Sequence, residues 1–151
     1  MKRVGSARRR FAVFVLDSRL QQDSLVLGEF ALCQLLLSKD ANYPWFILVP
    51  KRAGISEVFE LDAAEQQQLW QETTGLAEAL KASYSADKMN VATLGNVVSQ
   101  LHMHVIVRMR DDAAWPAPVW GKCPATAYAD DQVQAIRQRL RGLQLAGYQE
   151  A

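Results

Sequence analysis

Gln100-Leu101-His102-Met103-His104-Val105-Ile106-Val107 constrains this chain more than any other stretch. Apolar Leu101, Met103, Val105 and Val107 alternate with polar Gln100, His102 and His104. Period-two alternation rich in apolar and β-branched residues predicts a half-buried strand. Along a strand, residues i, i+2 and i+4 share one face, about 6.8 Å apart for each pair. Gln100, His102 and His104 are therefore expected as a polar comb on one side, with the apolar set packed into a core on the other. These two histidines are all the chain has.

Around this strand the pattern changes in a definite order. Asp17 to Ser24 predicts a short helix capped by Asp17. Leu25-Val26-Leu27 and Phe30 to Leu37 read as two strands around Gly28-Glu29, a hairpin. Ser38 to Asn42 is a turn, because Ser, Asp and Asn side chains bond to local backbone. Trp45 to Val49 is a continuous apolar run suited to a central strand, ended by Pro50. Asp62 with Glu65 three residues on marks a helix start. Leu69, Thr73, Leu76, Ala77, Leu80 and Tyr84 then recur at helical spacing, predicting one amphipathic helix over 62–84.

Met89 to Leu94 returns to a strand pattern, Gly95-Asn96 signals a turn, and the histidine strand follows as the second arm of an antiparallel hairpin. Trp115 to Gly121 is an irregular aromatic loop. Val133, Ile136, Leu140 and Leu143 predict a last helix, capped by Asp130 and starting at Asp131. Strands, helix, strands, helix is the order of an α+β domain with a mostly antiparallel sheet of five or six strands. The 151 residues suffice for one domain over 11–151 with a sizeable core.

Composition excludes some functions. Half the residues are hydrophobic and 22% charged, with a net charge of +1, so no global excess of charge points to nucleic acid. Residues 1–10 hold five of the 17 basic residues and no acid, leaving 12 basic against 16 acidic elsewhere. Such an arm is expected to be solvated and flexible. The apolar run Phe11 to Leu16 is too short for a signal peptide's apolar region or a membrane span, which argues for a cytoplasmic protein. Cys33 and Cys123 stand alone, without metal-type spacing, and read as small core residues in a reducing compartment.

Three readings are open for the two histidines. They are surface residues on a sheet edge; or two zinc ligands, with Asp111, Asp112, Cys33 or Cys123 to complete the shell; or a catalytic pair. In the last, a neutral imidazole attacks phosphorus near pH 7, since free imidazole titrates near 6.5. The second imidazole then donates to phosphate oxygens or leaving group, while the Gly95-Asn96 turn offers donors for the same oxygens. That chemistry requires no metal and no organic cofactor. Trp45 and Trp70 sit in apolar patterns and are expected in the core. Trp115 and Trp120 are expected either to stack on a base or to meet a partner subunit.

The segment Gly95 to Ile106 resembles the signature of the histidine triad superfamily, Gly-Gln-Ser-Val-x-His-φ-His-φ-His-φ-φ with φ apolar. The order of elements over residues 24–121 agrees, and Trp115-Pro116 is similar to a Trp-Pro segment of some members. The resemblance implies a histidine triad fold, commonly homodimeric, and hydrolysis or transfer at the α-phosphate of a nucleotide. His102 matches the histidine that becomes nucleotidylated. His104 matches the last histidine, which binds phosphate oxygens and assists the leaving group. Asn96 matches a glutamine of the phosphate turn, and Ser38 or Asp40 lies near the family's ribose position. Dinucleoside polyphosphates, nucleoside phosphoramidates and acyl-adenylates are the implied substrates. Gln100 stands where the first triad histidine belongs, and Trp45 where an auxiliary histidine begins its strand. Glutamine keeps a donor and an acceptor but cannot titrate, so a nucleotide-binding module without turnover is the alternative.

Overall fold

The computed structural model describes residues 12–151; the basic arm over 1–10 and Phe11 lie outside the described residues. The elements, in order, are α1 (Ser18–Asp23), β1 (Ser24–Glu29), β2 (Cys33–Ser38), β3 (Trp45–Pro50), a 3-10 turn (Val58–Glu60), α2 (Ala63–Tyr84), β4 (Lys88–Ala92), β5 (Met103–Arg108), α3 (Asp130–Leu143) and β6 (Gln149–Glu150). The six strands form one sheet in the order β4-β5-β3-β2-β1-β6. Every neighbouring pair is antiparallel. No helix among the described residues is long and apolar enough to cross a membrane.

Both faces of the sheet are covered. On one, Leu35, Leu37, Phe46, Leu48, Met103, Val105 and Val107 pack with Leu69, Leu76 and Leu80 of α2 and Ile136 and Leu140 of α3. On the other, Leu36, Ile47 and Val49 meet Leu16 and Leu20, with Phe14 packed beside them. Ile106 on that same side joins Tyr43, Ala114 and Val119. Strand β5 is thus buried along its whole length, where alternation alone predicted one open face.

Several local expectations shift. Asp17 does cap α1, accepting from Arg19 N at 2.8 Å. Gly28 and Glu29 belong to β1, and the hairpin turns at Phe30 to Leu32 instead. The register slips between Val26 and Gly28. A Cβ on Gly28 would collide with Gln149 O and the Tyr148 ring, so the glycine serves close approach of the C-terminal strand rather than a turn. The turn is pinned from α2, whose buried Glu72 carboxylate accepts from Leu32 N and Cys33 N. Asp62 caps α2, accepting from Glu65 N at 2.8 Å. α3 begins at Asp130, one residue earlier than expected: Ala129 is its N-cap, with its N–H donated to Gln132 Oε1. Trp70 is 49% exposed, not core, because it lies about 100° round the helix from buried Leu69.

Candidate active site

Strand β5 lies between β3 and β4, with His104 opposite Ile47 on one side and Ala92 on the other. His104 thus lies one strand in from the sheet edge, and His102 immediately precedes β5, on the face that α1 and the 109–126 segment cover. Their ring centroids are 4.9 Å apart at 70°. Each histidine is only 6% exposed.

What each ring bonds to fixes its tautomer. His102 Nδ1 is 2.7 Å from the main-chain oxygen of Gln100. A carbonyl can only accept, so Nδ1 carries a proton, and in the neutral ring the lone pair is then on Nε2. His104 Nδ1 is 2.9 Å from Trp45 Nε1. An indole N–H can only donate, so His104 Nδ1 is bare and the proton sits on Nε2. Two neighbouring rings thus carry opposite assignments: a lone pair on His102 and a donor on His104. Burial first, and the nearby His102 second, push the His104 pKa down to about 3, so this ring is neutral in neutral solution.

Two tryptophans pack against His104. Trp45 meets His104 with centroids 5.7 Å apart. Trp120 stands edge-on to His104 at 5.0 Å and to Trp45 at 5.5 Å, while remaining 36% exposed. Trp45 packs against both smaller apolar clusters, as expected, and its indole also bonds to His104. Of the loop pair, Trp120 reaches His104 and Trp115 does not. Instead the Arg108 Cζ lies over the Trp115 ring, 5.5 Å from the ring centroid. Only the loop's conformation decides between them, and no periodicity marks it in the sequence.

That loop is anchored by a buried ion pair. Arg108 binds Asp112 through Nε at 2.7 Å and Nη2 at 3.1 Å, and also reaches Asn90 Oδ1 and Ala117 O. Burial alone would raise the Asp112 carboxyl. The guanidinium and the N–H groups of Ala114, Met109 and Trp115 outweigh it and hold the pKa below the usual carboxylate value.

The other expected site residues divide. Gln100 does not join the imidazoles through its side chain. Its Oε1 accepts from Asp17 N at 2.8 Å and its Nε2 donates to Val15 O at 2.9 Å. The amide is a clip on the segment before α1, and only the Gln100 carbonyl serves His102. Gly95 and Asn96 lie within the connection from β4 back to His102, with Gly95 at φ +81° and Asn96 exposed. Arg19 Nη1 holds this connection at Val97 O. Ser38 is paired with Ser24, two strands over and two residues along from His104, on the order of 12 Å away. Asp40 is occupied, since its Oδ1 accepts from Asn42 N, Asn42 Nδ2 and Thr126 N. Ser38 and Asp40 thus shape the β2–β3 turn.

Nor do the suggested zinc ligands gather. Among the described residues no group of three His, Cys, Asp or Glu is placed to hold a metal ion. Asp112 serves Arg108, Cys33 is buried against Glu72, and half-buried Cys123 donates to Ala113 O.

Comparison with known proteins agrees with this geometry. The HIT domain model matches residues 19–111. A histidine triad protein of Marinobacter aquaeolei VT8 is 47% identical, covering 89% of this chain and 100% of its own, with a TM-score of 0.86. Histidine triad proteins of Bradyrhizobium japonicum (44% identical, covering 87% and 98%, TM-score 0.85) and Sinorhizobium meliloti 1021 (43% identical, covering 85% and 96%, TM-score 0.83) are similar throughout. No curated protein matches. A shared fold, a matched model over more than half the chain and relatives alike almost end to end leave one conclusion: this chain belongs to the histidine triad (HIT) domain family of nucleotide-binding hydrolases and transferases.

Proposed function

We propose that the chain hydrolyses or transfers a nucleotide at its α-phosphate through a covalent nucleotidyl-His102 intermediate. The observation that carries this reading is the pair of opposite tautomers. His102 presents an Nε2 lone pair while its Nδ1–H rests on Gln100 O, and His104 presents Nε2–H while its Nδ1 accepts from Trp45. A nucleophile beside a hydrogen-bond donor is what attack on phosphorus requires. His102 Nε2 bonds to the α-phosphorus as the leaving group departs, and His104 Nε2–H binds the phosphate oxygens on which charge collects. The connection from Gly95 and Asn96 supplies further donors, with Gly95 in a conformation that favours glycine. Trp120, half open beside His104, is the surface on which a base can stack. Neither metal nor organic cofactor takes part in the step as proposed.

The second reading is a binding module without turnover, favoured by the non-titrating Gln100 amide and its use as a clip. Release of AMP from diadenosine tetraphosphate separates the two. Turnover by the native protein, lost in His102→Ala, supports the enzyme; binding of the nucleotide with no AMP from either protein supports the module. We further place the protein in the cytoplasm as a homodimer. Among the described residues its edge strand β4 has no neighbour on its outer side, and it exposes Val91, followed by exposed Leu94.

A further inference from the structure

We infer that Trp45 determines substrate specificity: by holding His104 as a neutral Nε2–H donor, it confines the site to nucleotides whose leaving group departs as a stable anion. This rests on the nucleotidyl-transfer reading above and names its substrate class, a nucleotide anhydride rather than a P–N compound.

Trp45 opens β3 directly opposite Ile106, two residues from His104, and its indole crosses to His104 Nδ1 at 2.9 Å. Indole has one N–H and no acceptor. A second proton on His104 would set two N–H groups head to head in a buried place. Among the described residues, the groups set against that ring are His102 just before β5, Trp45 and Ile47 from β3, Trp120 from the following loop and Ala92 from β4. None is a carboxylate that could balance an imidazolium, for Asp112 is held by Arg108 and Asp40 by Asn42 and Thr126. Gln100 cannot titrate, and the chain has no third histidine. The nucleophile therefore has beside it a hydrogen-bond donor but, among the described residues, no side chain ready to surrender a proton.

The consequence falls on the leaving group. In the first step the His102 Nε2–P bond forms and the bond from phosphorus to the leaving group breaks, the electron pair going with that group. A polyphosphate or a carboxylate departs as an anion and takes no proton. An amine leaving from a P–N bond would depart as an amide anion unless protonated, and here the protein offers no proton. In the second step water attacks phosphorus, the P–N bond to His102 breaks, and its electron pair returns to Nε2. One water proton leaves to solvent and the nucleoside monophosphate is released.

The test compares kcat/KM for diadenosine tetraphosphate and adenosine phosphoramidate in the native protein, Trp45→Phe and Trp45→His, from pH 6 to 8. Imidazole 15N spectra of the native protein accompany it. The native ratio is expected to favour the anhydride by at least about 100-fold, the lower end of what a general acid contributes. It is expected to fall by at least about tenfold in Trp45→His, which can exchange a proton with its neighbour. The spectra are expected to show His104 as the Nε2–H tautomer. Equal native turnover of both substrates, a ratio unchanged in both variants, or a protonated His104 Nδ1 at pH 7 overturns the role of Trp45 while leaving the hydrolase reading in place. If neither substrate is turned over and His102 takes no nucleotide, that reading falls and this inference with it. Should the variants fail to fold, the native ratio and spectra still decide.

Discussion

His102 Nδ1 rests 2.7 Å from the carbonyl oxygen of Gln100, while the Gln100 side chain is engaged elsewhere. One residue thus does two separate jobs. Its main chain orients the nucleophile, and its amide fastens Val15 and Asp17. Gln100→Ala should accordingly leave the His102 tautomer intact. It removes the partners of Asp17 N and Val15 O, at a cost of about 1–3 kcal/mol. Hydrogen exchange should accelerate at the Asp17 amide and not in β5. Faster exchange throughout β5 would show that the two jobs are inseparable.

The neutral state of His104 makes stability depend on pH. Its pKa is lowered to about 3, by burial and then by His102, against about 6.5 for a free imidazole. Between those values the unfolded chain holds a proton here that the folded chain lacks. Stability from this residue is therefore complete above pH 6.5 and declines as pH drops towards 3, by up to about 1.4 kcal/mol per pH unit. Urea denaturation of the native protein and His104→Asn from pH 7 to 4 checks the sign: the native curve should fall more steeply. Parallel curves would contradict it.

Arg108 and Asp112 decide whether the tryptophan loop keeps its place. With side chains 2% and 7% exposed, the pair is buried, and removing one partner leaves the other charge without compensation. Arg108→Met should cost about 3–5 kcal/mol. It should also alter the emission of Trp120, whose loop loses the anchor at Ala117 O. A double variant with Asp112→Leu should recover part of the loss, because no lone charge then remains. A double variant that is worse by the sum of two single losses would assign the stability to other contacts.

Met103 tests the division of faces. It is buried among the residues beneath α2 and α3, where a carboxylate has no partner. Met103→Asp should cost more than about 4 kcal/mol and leave the protein largely unfolded by circular dichroism. A native-like spectrum would mean that β5 faces the other way.

The sequence carried the α+β class, the long helix from Asp62, the β4–β5 hairpin and the shared side of the two histidines. Each of these follows from short-range periodicity. What it did not carry depends on register or on loops. The Trp45–His104 bond exists only because β3 and β5, more than fifty residues apart, pair with Trp45 opposite Ile106. Gln100 looked like a third tooth of the histidine comb because alternation says nothing about what covers a face. The cover is the segment carrying Phe14 and Leu16, which has no local signal of its own. Trp115 and Trp120 are indistinguishable as letters. The cation stacked on the first, Arg108, is what leaves the second to His104. Two-residue β6 is too short to show any period at all.

The central claim is that His102 Nε2 forms a bond to phosphorus, and trapping the adduct tests it most directly. The native protein, mixed with α-32P-labelled diadenosine tetraphosphate and quenched within one turnover, should carry one AMP per chain. The label should be acid-labile and map to the peptide bearing His102, and His102→Ala should carry none. Turnover with no label on that peptide, or equal labelling of the alanine variant, would contradict a covalent His102 intermediate.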